Sequence, residues 1–332
     1  MNGETMMAEM SAQPEVLTRL VARAPADMAA VRAVVPSPLA GVVFLARGSS
    51  DNAAVFGRYL AELTAGRPAG LAAPSLYTRY HAEVDWKGYL VVAVSQSGKT
   101  PEIITTCTSM RQAGAIVVGV TNEPSSPLAD AADLLLSTDA GTERAIPATK
   151  TVTGQFALLA TIAASIHGGG LPPGTDLGGL PGAVTAVLDN PEPAVSLAHR
   201  WAALDRLVVT GRGLAYAAAL ETALKVKETT GILAEGISTA DLLHGPIAAV
   251  YAGTPVLLVD AGGPASADLD ELRALLATRD ADVVTLPVPA GTEPVQVIAA
   301  VVRGQQLAHG MARARGADPD TPANLSKVTA TT

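Results

Sequence analysis

The chain has 332 residues, 48% of them apolar and only 3% aromatic, enough for two domains with cores of small aliphatic side chains. Its 23 Lys and Arg against 31 Asp and Glu give a net charge of -8, which argues against nucleic acid and anionic membranes as partners. The single cysteine, Cys107, excludes an internal disulfide and any Cys-rich metal site. The longest apolar stretch, Ala157 to Ile166, is too short to span a bilayer, and no basic-then-apolar leader opens the chain, so a soluble cytoplasmic protein is expected.

Residues 1–35 read as a helical lead-in, with Val16, Leu17, Leu20 and Val21 spaced for one apolar face. Alternation follows. Strands are expected at Val42 to Ala46, Tyr89 to Val94, Ile116 to Thr121 and Leu134 to Ser137, with helices near Asn52 to Thr64, Pro101 to Ala113 and Thr149 to Ile166. Gly168 to Pro181 has the Gly and Pro content of a surface linker. Strands then recur at Arg206 to Thr210, Pro255 to Val259 and Val283 to Leu286, with helices at Ala215 to Thr230, Ser266 to Thr278 and about Pro294 to Ala312. The pattern predicts an α/β protein of two tandem doubly wound parallel sheets covered on both faces: residues 36–170 and 195–315, joined by a linker at 171–194 and followed by a tail at 316–332. Ala46-Arg47-Gly48 and Gly211-Arg212-Gly213 stand at equivalent strand ends, as copies of one unit would place them.

The most informative segment is Val94-Ser95-Gln96-Ser97-Gly98-Lys99-Thr100-Pro101-Glu102. An apolar strand runs into a hydroxyl-rich loop, where Thr100 can cap the next helix and Pro101 fits its first turn. Hydroxyls, free backbone N–H groups and the positive end of a helix make an anion site whose natural ligand is a phosphate. Neither the P-loop spacing nor the triple-glycine turn of a dinucleotide site is present, which favours a small phosphorylated metabolite.

Further segments occur in a fixed order: Ala46-Arg47-Gly48-Ser49-Ser50, Gly141-Thr142-Glu143, Ala148-Thr149-Lys150, Glu221 through Glu228, His244-Gly245-Pro246 and Asn324-Leu325-Ser326-Lys327, with Glu9-Met10 ahead of Gln13-Pro14. Together with the Ser95 loop they resemble the sugar isomerase (SIS) domain family over about residues 8–330, in particular the isomerase half of glucosamine-6-phosphate synthase and the isomerase-type glucosamine-6-phosphate deaminases. The resemblance implies flavodoxin-like domains and a phosphate held by Ser50, Ser95, Gln96, Ser97 and Thr100. It also implies sugar contacts from Arg47, Ser49, Glu143 and Ala148.

Spacing lets Glu221, Lys225 and Glu228 share one helix face, which by itself fits ordinary surface ion pairs. The resemblance makes Glu228 the base that moves a proton between C1 and C2, with Lys225 as its electrostatic partner. It makes His244 the ring-opening group, contributed across a homodimer interface, and Lys327 a tail residue that closes over the sugar. The other histidines (His81, His167, His199, His309) match no motif and are expected to be structural or exposed. No His, Cys, Asp or Glu spacing suggests a metal, and the chemistry needs no cofactor.

Departures from the synthase sharpen the expectation. No space exists for a glutaminase domain before the first strand, Leu243 stands where the synthase has lysine, Ala148 replaces a serine, and Arg47 is bulky where the synthase keeps a small residue beside its ammonia route. Deamination and isomerisation of glucosamine 6-phosphate to fructose 6-phosphate is the reaction expected. The alternatives are deamination or deglycation of another amino sugar phosphate, dehydration of N-acetylglucosamine 6-phosphate, and a sensor that binds without turnover.

Overall fold

Strands that are apolar on both faces need helices on both sides, and this chain alternates the two. The computed structural model describes residues 2–166 and 176–327. After α1 (Glu4–Ser11) and α2 (Gln13–Val34) come β1 (Gly41–Leu45), α3 (Ser49–Ala65), β2 (Ala69–Leu71), α4 (Ser75–Thr78), β3 (Tyr89–Val94) and α5 (Pro101–Gln112). They are followed by β4 (Ile116–Thr121), α6 (Pro127–Ala131), β5 (Leu134–Ser137) and α7 (Lys150–Ile166). All pairings in this first sheet are parallel, in the order β2-β1-β3-β4-β5.

The unit built on this sheet takes in Val16–Thr142 and α7 from Thr151 onward. On one face Ile103, Cys107 and Met110 of α5 pack on Val91, Ala93 and Val117. Burial pushes the Cys107 thiol up to about 12, the state of an inert core residue. The chain's three phenylalanines meet around α3. Phe56 meets Phe156 of α7 with ring centroids 5.1 Å apart and planes tilted by 39°, and a Cβ on Gly57 would lie 2.7 Å from the Phe44 ring, so only glycine lets α3 approach β1 this closely.

The second half contains α8 (Leu180–Asp189), α9 (Glu192–Arg200), β6 (Arg206–Gly211), α10 (Ala215–Thr230), β7 (Leu233–Ser238) and α11 (Thr239–Leu243). A short 3-10 turn at Pro246–Ala249 precedes β8 (Pro255–Val259), α12 (Ser266–Ala277), β9 (Asp282–Thr285) and α13 (Glu293–Ala314). Its parallel sheet runs β7-β6-β8-β9. This unit also takes in the chain up to Glu15 and the segment Glu143–Lys150. Helix α13 lies tightly on α10: a Cβ on Gly304 would sit 2.1 Å from Thr222 Oγ1, and Thr229 Oγ1 donates to the Ala308 carbonyl at 3.1 Å. Arg303 is a buried cation whose guanidinium donates to Asn190 O at 2.6 Å, Pro287 O at 3.2 Å and Gln306 Oε1 at 2.8 Å, tying the end of α8 to α13. Burial lowers its pKa.

The two parallel sheets are those the alternation predicts, with additions. Edge strands β2 and β7 escape the pattern because β2 is three residues long and β7 (LAEGIS) mixes exposed and buried positions around a glycine. Of the expected linker at 171–194, residues 171–175 lie outside the described residues. Beyond them Leu180–Asp189 and Glu192–Arg200 are helical, since a proline at the start of each fits a first turn as well as it fits a loop.

Candidate functional site

In the first sheet the strand order reverses between β1 and β3, so the crevice for a ligand lies beyond their carboxyl ends. Two loops end there: Ala46-Arg47-Gly48 after β1 and Ser95–Thr100 after β3. The second is a built turn. Gly98 N–H donates to Ser95 O and Ser95 Oγ, each at 3.2 Å, and Lys99 N–H donates to Ser97 Oγ at 3.3 Å. Gly98 has φ 60, and a Cβ there would lie 2.0 Å from Ser126 Oγ, so the turn requires glycine. Gln96 is pinned through its carbonyl, which accepts from Asn122 N–H at 3.0 Å and Thr121 Oγ1 at 3.2 Å. Ser95 is buried, while Gln96, Ser97 and Thr100 are partly exposed.

Thr100 occupies the N-cap of α5 with Pro101 behind it, but its hydroxyl makes no cap bond, contrary to the capping expected from sequence. Its backbone ψ of 113 holds the residue extended beside the start of the helix. Ser49 and Ser50 begin α3, with Ser50 buried. Arg47 is exposed, and its Nε donates to Glu102 Oε2 at 3.0 Å, so this guanidinium is engaged with the second residue of α5. Asp51, in the first turn of α3, has its pKa raised by burial and pulled back by Arg47.

The other unit carries a cluster of charged side chains on α10. On α10, Glu221 and Lys225 are fully buried, and the Lys225 ammonium stands 3.5 Å from Glu221 Oε1 while donating to Glu228 Oε2. Burial alone would lower the Lys225 pKa. The Glu221 and Glu228 carboxylates outweigh it and hold the group above the ordinary lysine range. Of the three only Glu228 reaches solvent, its side chain 24% exposed. The helix face that spacing allows is therefore not a solvated surface but a buried ammonium between two carboxylates, one of them open.

Glu143, whose side chain is fully buried, accepts from Thr149 N–H at 3.0 Å and from Lys327 Nζ at 2.7 Å. Lys327 also donates to Ala145 O at 2.7 Å. Residues 184 apart in the chain are thus paired, and the lysine near the C-terminus is held rather than frayed. Ala148 lies in the same segment, half-buried. His244 caps the end of α11 and is exposed, as are Leu243, Gly245, Pro246 and Tyr251 around it. His81 and His199 are exposed, His309 is buried against Gly3 O at 2.9 Å, and His167 lies outside the described residues.

The sequence reading passed over two carboxylates. Glu9 of α1 is buried and accepts from the backbone N–H groups of Arg144 and, at 3.3 Å, Ala145. Asp320 accepts from Gly3, Thr5 and Met6 N–H at 3.1, 3.1 and 2.7 Å. Glu9 stands in a segment already noticed for its resemblance; Asp320 carries no local signal at all. Among the described residues no group of three or more His, Cys, Asp or Glu could hold a metal ion, and no helix is long and apolar enough to cross a membrane.

Residues 41–165 and 202–287 match the SIS domain. A glutamine–fructose-6-phosphate aminotransferase (isomerizing) of Gloeobacter violaceus is 33% identical over 311 residues, 86% of this chain and 51% of that protein. The chain spans about half the length of the curated relatives it matches. A solved structure from Silicibacter pomeroyi, provisionally named a phosphosugar isomerase, superposes with a TM-score of 0.87 at 32% identity, covering 96% of this chain and all of that one. Glucosamine-6-phosphate deaminase from Thermotoga maritima shares the fold, with a TM-score of 0.74 at 21% identity over 95% of this chain and all of that one.

Proposed function

The chain belongs to the SIS domain family, and on that footing we propose that it deaminates and isomerises a phosphorylated amino sugar, glucosamine 6-phosphate first, to fructose 6-phosphate and ammonia. The observation that carries this reading is Lys225, buried between Glu221 and Glu228 with only Glu228 open to solvent. An ammonium fixed at that carboxylate holds and aims it, as a base for a carbon acid must be held. Ser50, Ser95, Gln96, Ser97 and Thr100 hold the phosphate. Arg47, Ser49, Glu143 and Ala148 contact the sugar, and Lys327 closes over it.

In this reading His244 opens the ring by moving a proton to the ring oxygen and taking one from the C1 hydroxyl. Glu228 removes the C2 proton, giving an enolamine, and returns it to C1. Water then adds to the C2 imine and ammonia leaves, so that one water is consumed for each ammonia released. The exposure of His244 amid Leu243 and Tyr251 supports its service to a second copy of the chain, as a homodimer with exchanged histidines requires.

Incubation with glucosamine 6-phosphate should release ammonia and fructose 6-phosphate in equal amounts, and Glu228→Gln should lower kcat by roughly 10² to 10⁴. Near wild-type ammonia release by that variant overturns the assignment. An ultraviolet absorbance change with N-acetylglucosamine 6-phosphate and no ammonia from the free amine would replace deamination by dehydration. Tight binding of either substrate without turnover would make the protein a sensor. Mixing Glu228→Gln with His244→Ala should restore activity, and a mixture as inactive as its parts removes the exchanged histidine.

A further inference from the structure

Helix α1 is joined to two other segments of its unit by carboxylates, one near each end. At its start the Asp320 carboxylate collects the N–H groups of Gly3, Thr5 and Met6, matching the positive end of the helix. From the last turn of α1, Glu9 receives the N–H groups of Arg144 and Ala145, the two residues that follow Glu143. Lys327 closes the ring from the tail by donating to Glu143 Oε2 and Ala145 O, and the Ile146 N–H donates to Asp320 O at 2.9 Å. Met6 and Met10 pack against Ala145 on the apolar side.

We infer that Glu9 is a positioning residue: through the backbone of Arg144 and Ala145 it fixes the Glu143 carboxylate and, through that carboxylate, the place of Lys327. Glu9 is an expensive residue to keep there. It is buried 94% by area, it sits at the negative end of a helix, and Glu143 is a like charge nearby. Burial raises its pKa; the Arg144 N–H opposes that, Glu143 adds to it, and the Ala145 N–H and Lys327 oppose it. His309 and Arg313 face the far end of α1, at Gly3 and Asn2. A glutamine in its place would offer the two N–H groups one acceptor oxygen and set an NH₂ against the other. The fold does not require the ionic form, since α1 already has its apolar contacts and the Asp320 cap.

This inference rests on the proposed reaction for its catalytic meaning but not for its test. Trace acetylation of the free protein, read by peptide mass spectrometry, should label Lys327 roughly tenfold faster in Glu9→Gln than in wild type, because a charge-assisted hydrogen bond is loosened. Lysines such as Lys87 and Lys99 should keep their rates. In the glucosamine 6-phosphate assay the same variant should lose about tenfold in kcat with KM within about twofold. Wild-type labelling of Lys327 in a folded Glu9→Gln protein overturns the inference. Should that variant not fold, hydrogen exchange on the wild-type protein decides instead: Arg144 and Ala145 amides protected about a hundredfold are expected, and amides exchanging at open-loop rates overturn it. Absence of ammonia release would strike the proposed reaction alone and leave the labelling and exchange results to stand or fall by themselves.

Discussion

Each sheet has a switch point, and the loops there share a plan but not a chemistry. After β3 comes Ser95-Gln96-Ser97-Gly98-Lys99-Thr100; after β8 comes Asp260-Ala261-Gly262-Gly263-Pro264-Ala265. Each neighbouring loop carries an arginine that reaches the next strand's helix: Arg47 pairs with Glu102 of α5 at 3.0 Å, Arg212 with Asp268 of α12 at 2.8 Å. The fillings differ. In the first loop, hydroxyls and backbone N–H groups surround the start of α5. In the second, Asp260 Oδ1 takes up Gly262 N–H at 3.0 Å and Ser266 Oγ at 2.7 Å. The Glu293 carboxylate lies only 2.4 Å from where a Gly263 Cβ would be. Burial raises the pKa of Glu293. The second loop satisfies its donors with the chain's own acids. Duplicated topology supplies two crevices, and side-chain charge sets them apart.

The contrast can be broken most forcefully by making the first loop resemble the second. Ser97→Asp should weaken sugar phosphate binding by roughly 10³, since a like charge at an anion site costs several kcal/mol, whereas Asp260→Asn should leave KM within about twofold. Equal effects in a titration of the two variants would erase the distinction between the loops. Next in size are the glycines. Gly98→Ala combines a positive φ with a fixed Ser126 neighbour and should cost about 3 kcal/mol in urea unfolding. Gly263→Ala, at φ 83, meets only the movable end of Glu293 and should cost about 1 kcal/mol.

A gentler cut is Ser97→Ala or Thr100→Ala, each expected to raise KM about tenfold with kcat little changed, while Ser266→Ala does neither. The arginines separate structure from function. Both pairs are partly exposed, so Arg47→Ala and Arg212→Ala should each change stability by less than about 1 kcal/mol, with only Arg47→Ala affecting KM. The smallest effect concerns acid. Burial holds the His309 imidazole below its ordinary pKa, so the unfolded chain binds more protons there. The stability this contributes is present above about pH 6.5 and is lost as pH falls toward the folded value. His309→Gln should therefore flatten the fall in Tm between about pH 7.5 and 5, and an unchanged slope would assign that fall to other groups.

Legibility followed distance along the chain. The apolar runs of β1, β3, β4, β6 and β8 announce buried parallel strands, and the hydroxyl-rich turn from Ser95 to Pro101 is visible as a strand-to-helix turn, because those signals lie in consecutive residues. Spacing of three and four put Glu221, Lys225 and Glu228 on one face of α10. It left open whether that face is solvated, and tertiary packing under α13 decided that Lys225 is buried and Glu228 alone is open. Edge strands β2 and β7 carry too few apolar residues to be read before their neighbours are known. The pairing of Glu143 with Lys327, the grip of Glu9 on Arg144 and the cap of Asp320 on α1 join residues more than 130 positions apart. No local pattern encodes such contacts, because a carboxylate's partner is whatever the folded chain brings within 3 Å of it. Composition, periodicity and motif order determined the two sheets and the hydroxyl-rich turn after β3; only the tertiary structure decided which charges are buried, which are paired, and how two similar loops are filled.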